Sequence, residues 1–443
     1  MMSVAPGRKS GKGVPSRKCM KNMDGSKKKV RFAYYDQVLT AEIAEDNLVK
    51  TAFAPPAAPL DDPAGGLFRA LSAPVGAPPL TELLQGREGI LIAVPDHTRR
   101  TDLAPVLAAL LTVLAEEGYG PDRVIIAVAG GTHKPMSDAE LRKQWGPDIT
   151  GRYRFLRHRW NEPGELISRG RSPLGIPLQF NRVLFEERLH IGLGTVKPHP
   201  VAGWSGGAKI ILPGLAGKDS TDYFHWTAAS YPVETIFGQE NNPMRLEIEE
   251  AVGMVGLHLI INVIENKQGQ ICGLAAGDFV QAHRFLVEQS RSVPLLDLPM
   301  EQPDAMIVGG GTDRPELWEA AAGLYVANIL LREEGTLVLA AACPDGVAKE
   351  HPAVLEWGYR PYSEVAALVA QGKIVDLTAA SHLALVGDII ARKKFRVILV
   401  SAGIGAPEAE RLGLDYADSL DGALSKIMER HGSQAKIFTC ERI

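Results

Sequence analysis

Apolar residues in this chain gather into short continuous runs, and between the runs they recur at helical spacing. Residues 89–94, 123–129, 189–194 and 257–264 are such runs, short and unbroken enough to be strands buried on both faces. Residues 103–117, 242–254 and 278–290, and a segment from Ser137, read as helices. A second unit starts near Pro303. Its strands fall at 304–308, 335–342, 395–401 and 435–439, and its helices at 315–331, 362–371, 382–391 and 420–430. Strand–helix alternation with doubly buried strands predicts an α/β fold with mostly parallel sheets. Ahead of it, residues 30–44 alternate loosely as a first hairpin, and the Pro-, Ala- and Gly-rich stretch 54–79 reads as a linker or surface loop. The expected division is a disordered basic tail (1–29), an N-terminal domain (30–298) and a C-terminal α/β domain (299–443). The last strand is free to pack back on the first domain. A cleft between two such domains is the expected ligand site.

Composition narrows this picture. With 443 residues, 45% hydrophobic and 23% charged, the chain has the profile of a two-domain globular protein. Its formal net charge of −4 gives no reason to expect nucleic acid. The basic start (Arg8, Lys9, Lys12, Arg17, Lys18, Lys21 and Lys27 to Lys29, against Asp24) reads as a solvated tail. No run reaches the length of a membrane span, and no apolar segment follows the basic start as in a secretory signal. Four cysteines without a CxxC pair fit a reducing cytoplasm.

Three polar segments follow predicted buried strands, where open α/β sheets place ligands. Asp96-His97-Thr98-Arg99 ends the first; Arg99 suits a bidentate pair with a carboxylate or phosphate, or a structural pair with Asp96 at a helix start. Gly130-Gly131-Thr132-His133 ends the second. Its glycines allow backbone N–H groups to approach an anion, and His133 is either an acid/base group or a turn histidine. The third runs Lys197-Pro198-His199-Pro200-Val201-Ala202-Gly203-Trp204-Ser205-Gly206-Gly207-Ala208-Lys209 and enters Ile210-Ile211-Leu212-Pro213-Gly214. Prolines brace His199, Ser205-Gly206-Gly207 permits close backbone approach, and desolvation would make Lys209 a nucleophile or covalent anchor. It is not a phosphate-binding P-loop. His225, after Asp222-Tyr223-Phe224, is a packed histidine or a ligand for zinc, copper, iron or nickel. The other eight histidines, including His97, His158, His258 and His382, read as structural or exposed.

Together these segments resemble the nickel-dependent lactate racemase family, the nickel-pincer nucleotide enzymes. The resemblance rests on D-x-T-R, GTH, PHPVAGWSGGAK, the ILPG run and a histidine sixteen positions past the lysine. Asn262-Val263, Gly277-Asp278, Ala282-His283, the Gly310-Gly311 turn and Cys343-Pro344-Asp345-Gly346 continue it. It implies nickel and a pyridinium-3,5-bisthiocarboxylic acid mononucleotide joined covalently to Lys209, with His225 as metal ligand. It implies His133 and His199 as catalytic acid/bases, and Asp96, Arg99, Ser205, Gly206 and Gly207 at the cofactor. Residues 30–298 then form the catalytic and cofactor-anchoring domain. The implied activity is an isomerase that racemises or epimerises a 2-hydroxy acid by hydride transfer, matured by cofactor-biosynthesis proteins in the cytoplasm.

One departure concerns the substrate. Where lactate racemases carry a Gln and a Lys for the substrate carboxylate, this chain places Glu319 and Ala322. Arg99 would then hold the carboxylate. Glu319 suits a hydroxyl, as in a sugar acid, so the expected partner is a small 2-hydroxy acid or sugar acid other than lactate. Two other readings stand beside this one: a zinc-dependent hydrolase using the same histidines, and a non-catalytic cofactor- or acid-binding homologue.

Overall fold

The computed structural model describes residues 26–51, 57–98, 101–266, 268–293, 299, 301–312 and 314–442. The proposed tail up to residue 25, and Arg99 with Arg100, lie outside the described residues. The strands in chain order are β1 (Lys27–Tyr34), β2 (Gln37–Ala44), β3 (Leu48–Thr51), β4 (Ile90–Pro95), β5 (Val124–Ala129) and β6 (Arg154–Arg157). They continue as β7 (Leu166–Arg171), β8 (Pro177–Asn181), β9 (Leu189–Thr195), β10 (Pro198–His199), β11 (Gly203–Trp204), β12 (Leu259–Glu265) and β13 (Ile271–Gly277). The chain finishes with β14 (Ala305–Gly309), β15 (Thr336–Ala340), β16 (Arg396–Val400), β17 (Asp415–Tyr416) and β18 (Ile437–Cys440).

Two six-stranded sheets form, in the orders β13-β12-β9-β4-β5-β6 and β17-β16-β15-β14-β18-β3. The second is parallel throughout; in the first, only β13 runs antiparallel to its neighbour. The α/β fold with mostly parallel sheets is therefore as expected. Strand periodicity sends alternate residues to opposite faces. Ile92, Val94, Ile126 and Val128 pack with Val106, Leu107 and Leu110 of the helix Ala104–Glu116. Leu91, Ala93, Ile125 and Ala127 face a second apolar cluster, which continues into the C-terminal half through Met306, Leu337 and Leu383. The two halves thus share a core.

The last strand meets the span 30–298 inside the second sheet, where β18 lies between β14 and β3. The crossing segment is the start of the chain. β1 begins at Lys27, so Lys27 to Lys29, assigned to the tail, pair with Ala44, Ile43 and Glu42. The hairpin's period-two face (Val30, Phe32, Tyr34) is buried against Ile307, Val338 and Ile398 of the second sheet. Ala33 N–H donates to the Glu441 carbonyl at 2.8 Å and Tyr35 N–H to that of Gly311 at 3.0 Å. Long-range pairing of this kind leaves no local trace in sequence.

Within the supposed linker, Pro63–Ser72 is a helix. Asp62 caps it, Pro63 occupies its first turn, and Leu67 and Leu71 are buried. The helix expected at 315–331 is two pieces, Leu317–Ala320 and Ala322–Leu330. The one expected from residue 382 starts earlier, as Leu377–Lys393, because Asp376 caps it.

Phe32 is fully buried under the second sheet. Phe32→Ala should lower unfolding free energy by about 3–5 kcal/mol in urea titration. The accompanying loss of amide-exchange protection should be larger at β14 and β18 than at β4.

Candidate active site

The first sheet brings the sequence segments together. β9, β4 and β5 are neighbours and parallel, so the residues following each emerge along one sheet edge. Asp96 follows β4, His133 follows β5, and the loop that carries His199 and Lys209 follows β9.

Asp96 is buried, and His133 Nδ1 lies 2.7 Å from its Oδ2. Its Oδ1 accepts from the Thr98 hydroxyl at 2.6 Å. Both carboxylate oxygens are thereby engaged, and Asp96 orients His133. With Nδ1–H donating to the carboxylate, Nε2 of the neutral ring is an acceptor. His199 has the opposite arrangement. It sits on the short β10–β11 ladder, and its Nδ1 accepts from Val201 N–H at 3.3 Å, which places the proton of the neutral ring on Nε2.

The backbone from Ala202 to Gly207 is held by side chains. Arg245, fully buried, donates to the carbonyls of Trp204 and Gly206 (the latter at 3.3 Å). Burial lowers its pKa only to about 10, so it remains charged. His283 Nε2 meets the Ser205 carbonyl at 2.9 Å, its Nδ1 meets Arg284 Nη1 at 3.1 Å, and Arg284 forms a two-pronged pair with Glu249. Asn262 Oδ1 accepts from Gly207 N–H at 2.7 Å, and Asn242 donates to the Ala202 carbonyl at 3.4 Å. Ser205 is buried, donating to the Thr195 carbonyl at 2.6 Å and accepting from Lys197 N–H at 3.1 Å. A Cβ at Gly206 would lie 2.7 Å from Asn262 Oδ1, and one at Gly207 2.9 Å from the His283 ring.

The close backbone approach expected of Ser205-Gly206-Gly207 is therefore an approach of protein to protein. The same holds at the Gly-Gly turn before His133, where Gly131 N–H donates to the Gly214 carbonyl at 2.9 Å. The sequence reading missed Arg245, and its only signal was an arginine on an otherwise core-facing helix, Pro243–Gly253.

Lys209 lies in the single turn Gly207–Ile210 and is partly buried. His225, on the helix Lys218–Ala229, donates from Nδ1 to the Thr221 carbonyl at 2.7 Å, leaving the Nε2 lone pair outward from that bond. Its pKa falls to about 4, chiefly through burial, with the charge of Lys209, and of His133 when it is protonated, adding to the effect. Lys209, His225 and His133 thus share one electrostatic neighbourhood. That donor set fits a prosthetic group joined to the lysine whose metal takes one imidazole from the protein. Among the described residues no group of three or more His, Cys, Asp or Glu could hold a metal. This weighs against the zinc-hydrolase alternative, which needs such a set.

A cleft of about 550 Å³ opens between the halves. Its first wall includes His133, Lys134, Trp160, Lys218 and Asp222; its second is Glu350, His351, Asp376 and Thr378. The walls are joined: Thr378 donates to Asp222 at 2.9 Å, and Ser381 donates to the His225 carbonyl at 2.8 Å. Of the described predicted site residues only His133 lines this cleft; Asp96, His199, Lys209, His225 and the exposed Glu319 do not. The Glu319 carboxyl is held above the ordinary value, first by loss of solvent around it and then by Glu316. Ala322 opens the following helix. His351, counted among the structural or exposed histidines, faces the cleft instead.

The family model for the lactate racemase N-terminal domain matches residues 34–235. A lactate racemase of Lactiplantibacillus plantarum is 28% identical over 385 residues, covering 83% of this chain and 87% of that protein. One from Thermoanaerobacterium thermosaccharolyticum is 29% identical over 283 residues, covering 63% and 65%. The solved lactate racemase apoprotein of T. thermosaccharolyticum shares the fold at a TM-score of 0.82 and 22% identity, covering 94% of this chain and 98% of its own. A Thermotoga maritima structure from a structural genomics programme does so at 0.68 and 21%, covering 87% and 97%. Among the described residues no helix is long and apolar enough to cross a membrane.

His283 is fully buried, and burial, followed by the charge of Arg245, pushes its pKa well below that of a free imidazole. The unfolded chain takes up this proton near pH 6.5 while the folded chain refuses it. The stability His283 provides is complete above that pH and is lost as pH falls below it. Stability measured by urea titration should decline from pH 7 to pH 5. His283→Asn should be less stable at pH 7 and show a slope shallower by up to about 1.4 kcal/mol per pH unit.

Proposed function

Because this chain belongs to the lactate racemase family, we propose that it inverts C2 of a 2-hydroxy acid, with His133 and His199 as the acid/base pair. The observation that carries this reading is the carboxylate-held imidazole: His133 Nδ1 lies 2.7 Å from Asp96 Oδ2, which leaves Nε2 as the working atom. Inverting a carbinol carbon in one direction takes one group ready to accept the hydroxyl proton and one ready to return it. His133, held at Nδ1 by Asp96, takes the hydroxyl proton on Nε2 and becomes an imidazolium that the carboxylate balances; His199 enters as the imidazolium, returns its proton and ends neutral. After one turnover the roles exchange, and the reverse direction starts from the exchanged state.

Lys209 is the proposed attachment point for the nickel-bearing pyridinium mononucleotide, and His225 Nε2 the protein's donor to the nickel. When bound, that group supplies the hydride acceptor and donor. The chain's own residues do the rest. The Thr221 carbonyl fixes the His225 tautomer. The buried Arg245 and His283 hold the loop so that His199 and Lys209 keep their spacing. Arg99 is proposed to hold the substrate carboxylate, and maturation is proposed to require the proteins that make the cofactor.

Protein produced in a host that synthesises the cofactor should carry a mass adduct mapping to Lys209 and absent from Lys209→Arg. His133→Gln and His199→Gln should keep the adduct and lose about 10²–10⁴-fold in kcat, with KM little changed, as followed by chiral chromatography of a 2-hydroxy acid panel. Full activity with an unmodified Lys209 would overturn the attachment. Activity surviving either histidine change would remove that residue from the pair.

A further inference from the structure

The second wall of the cleft carries another carboxylate-oriented imidazole. His351 Nδ1 lies 2.7 Å from Asp376 Oδ2, the same separation as His133 from Asp96. Asp376 is fixed independently of His351, since its Oδ1 caps the helix Leu377–Lys393 by accepting from Ala379 N–H at 3.0 Å. Burial pushes the Asp376 carboxyl up, but the bonds from His351 and Ala379 and the charges of His351 and Lys218 outweigh it, and the pKa lies below the ordinary value. The ring plane of His351 is set by Trp318, stacked at 4.5 Å between centroids and itself stacked on His382 at 4.1 Å. An imidazole with its plane and its Nδ1 both fixed has one direction left for its Nε2. The proton transfers assigned above to His133 and His199 give His351 no part.

The remaining lining indicates what that Nε2 meets. Ligand pockets are usually apolar with a few placed polar groups. Here every lining side chain except Pro135 and Trp160 is polar or charged. The methyl group of a three-carbon hydroxy acid finds little matching surface in such a cleft. A hydroxyl, which both donates and accepts, can be satisfied by carboxylates, ammonium groups and imidazole alike.

Resting on the 2-hydroxy acid reading of this cleft, we propose that His351, positioned by Asp376 and Trp318, determines specificity by hydrogen-bonding a substrate hydroxyl beyond C2. The acid taken is accordingly a polyhydroxylated chain of the aldonate type.

The test is calorimetric binding of gluconate and of lactate to the cofactor-loaded protein. Gluconate should bind at least tenfold more tightly. His351→Phe keeps a ring on Trp318 but has no Nε2; it should weaken gluconate about tenfold or more and leave lactate within twofold. His351→Gln should recover part of the loss. Asp376→Ser, which still caps the helix, should weaken gluconate selectively as well. A preference for lactate, failure to bind gluconate, or equal effects of His351→Phe on both acids would overturn the inference. Binding is read without turnover, so the two readings can fail separately. Selective gluconate binding without C2 inversion of any acid would sink the proposed reaction alone. Inversion of gluconate untouched by His351→Phe would sink the specificity role alone.

Discussion

A buried peptide group must find a partner or forfeit the free energy of its lost hydration. The stretch from Ala202 to Gly207 lies at the end of a buried strand with only a two-residue ladder of its own. Arg245, His283, Asn262 and Asn242 supply the partners that secondary structure does not. Because an unpaired charge in this position would be costly, Arg245 cannot drift without giving up the carbonyls it holds. The loop is consequently as determined as a helix, and His199 and Lys209, at either end of it, inherit that rigidity. A site built on a loop gains precision when its backbone is bound from behind.

The same economy governs the other half of the site. The helix that carries His225 is tied at Asp222 and at the His225 carbonyl to the helix Leu377–Lys393. That second helix begins at Asp376, which also positions His351. One helix start therefore aligns the helix that carries His225 and the far wall of the cleft together. A change in the relative setting of the two halves would alter both at once, which couples the His351 wall to the geometry around His225.

Much of this was legible because it depends on local pattern. Continuous apolar runs marked β4, β5, β9 and β12, and polar residues immediately after three of them marked Asp96, His133 and the loop to Lys209. What escaped depends on distance along the chain. His351 and Asp376 are twenty-five residues apart, and neither has a neighbour that marks it as half of a pair. Arg245 looks like any helical arginine until the loop it supports is placed. Glycines at 206 and 207 announced a close approach correctly, but sequence does not say whether the approaching group is a ligand or, as here, Asn262 and His283.

The placement of β1 to β3 bears on how the molecule is made. These strands are synthesised long before β18, the partner of β3, which begins at Ile437. At about 5–20 residues per second, the nascent hairpin waits roughly 20–80 s before the second sheet can be completed. For much of that interval Phe32 lacks Ile307, Val338 and Ile398, which cover it in the folded chain. The first sheet, whose strands all lie between Ile90 and Gly277, can close while the hairpin is still waiting, so the lobe that carries Lys209 and His225 is assembled before the cleft has its second wall.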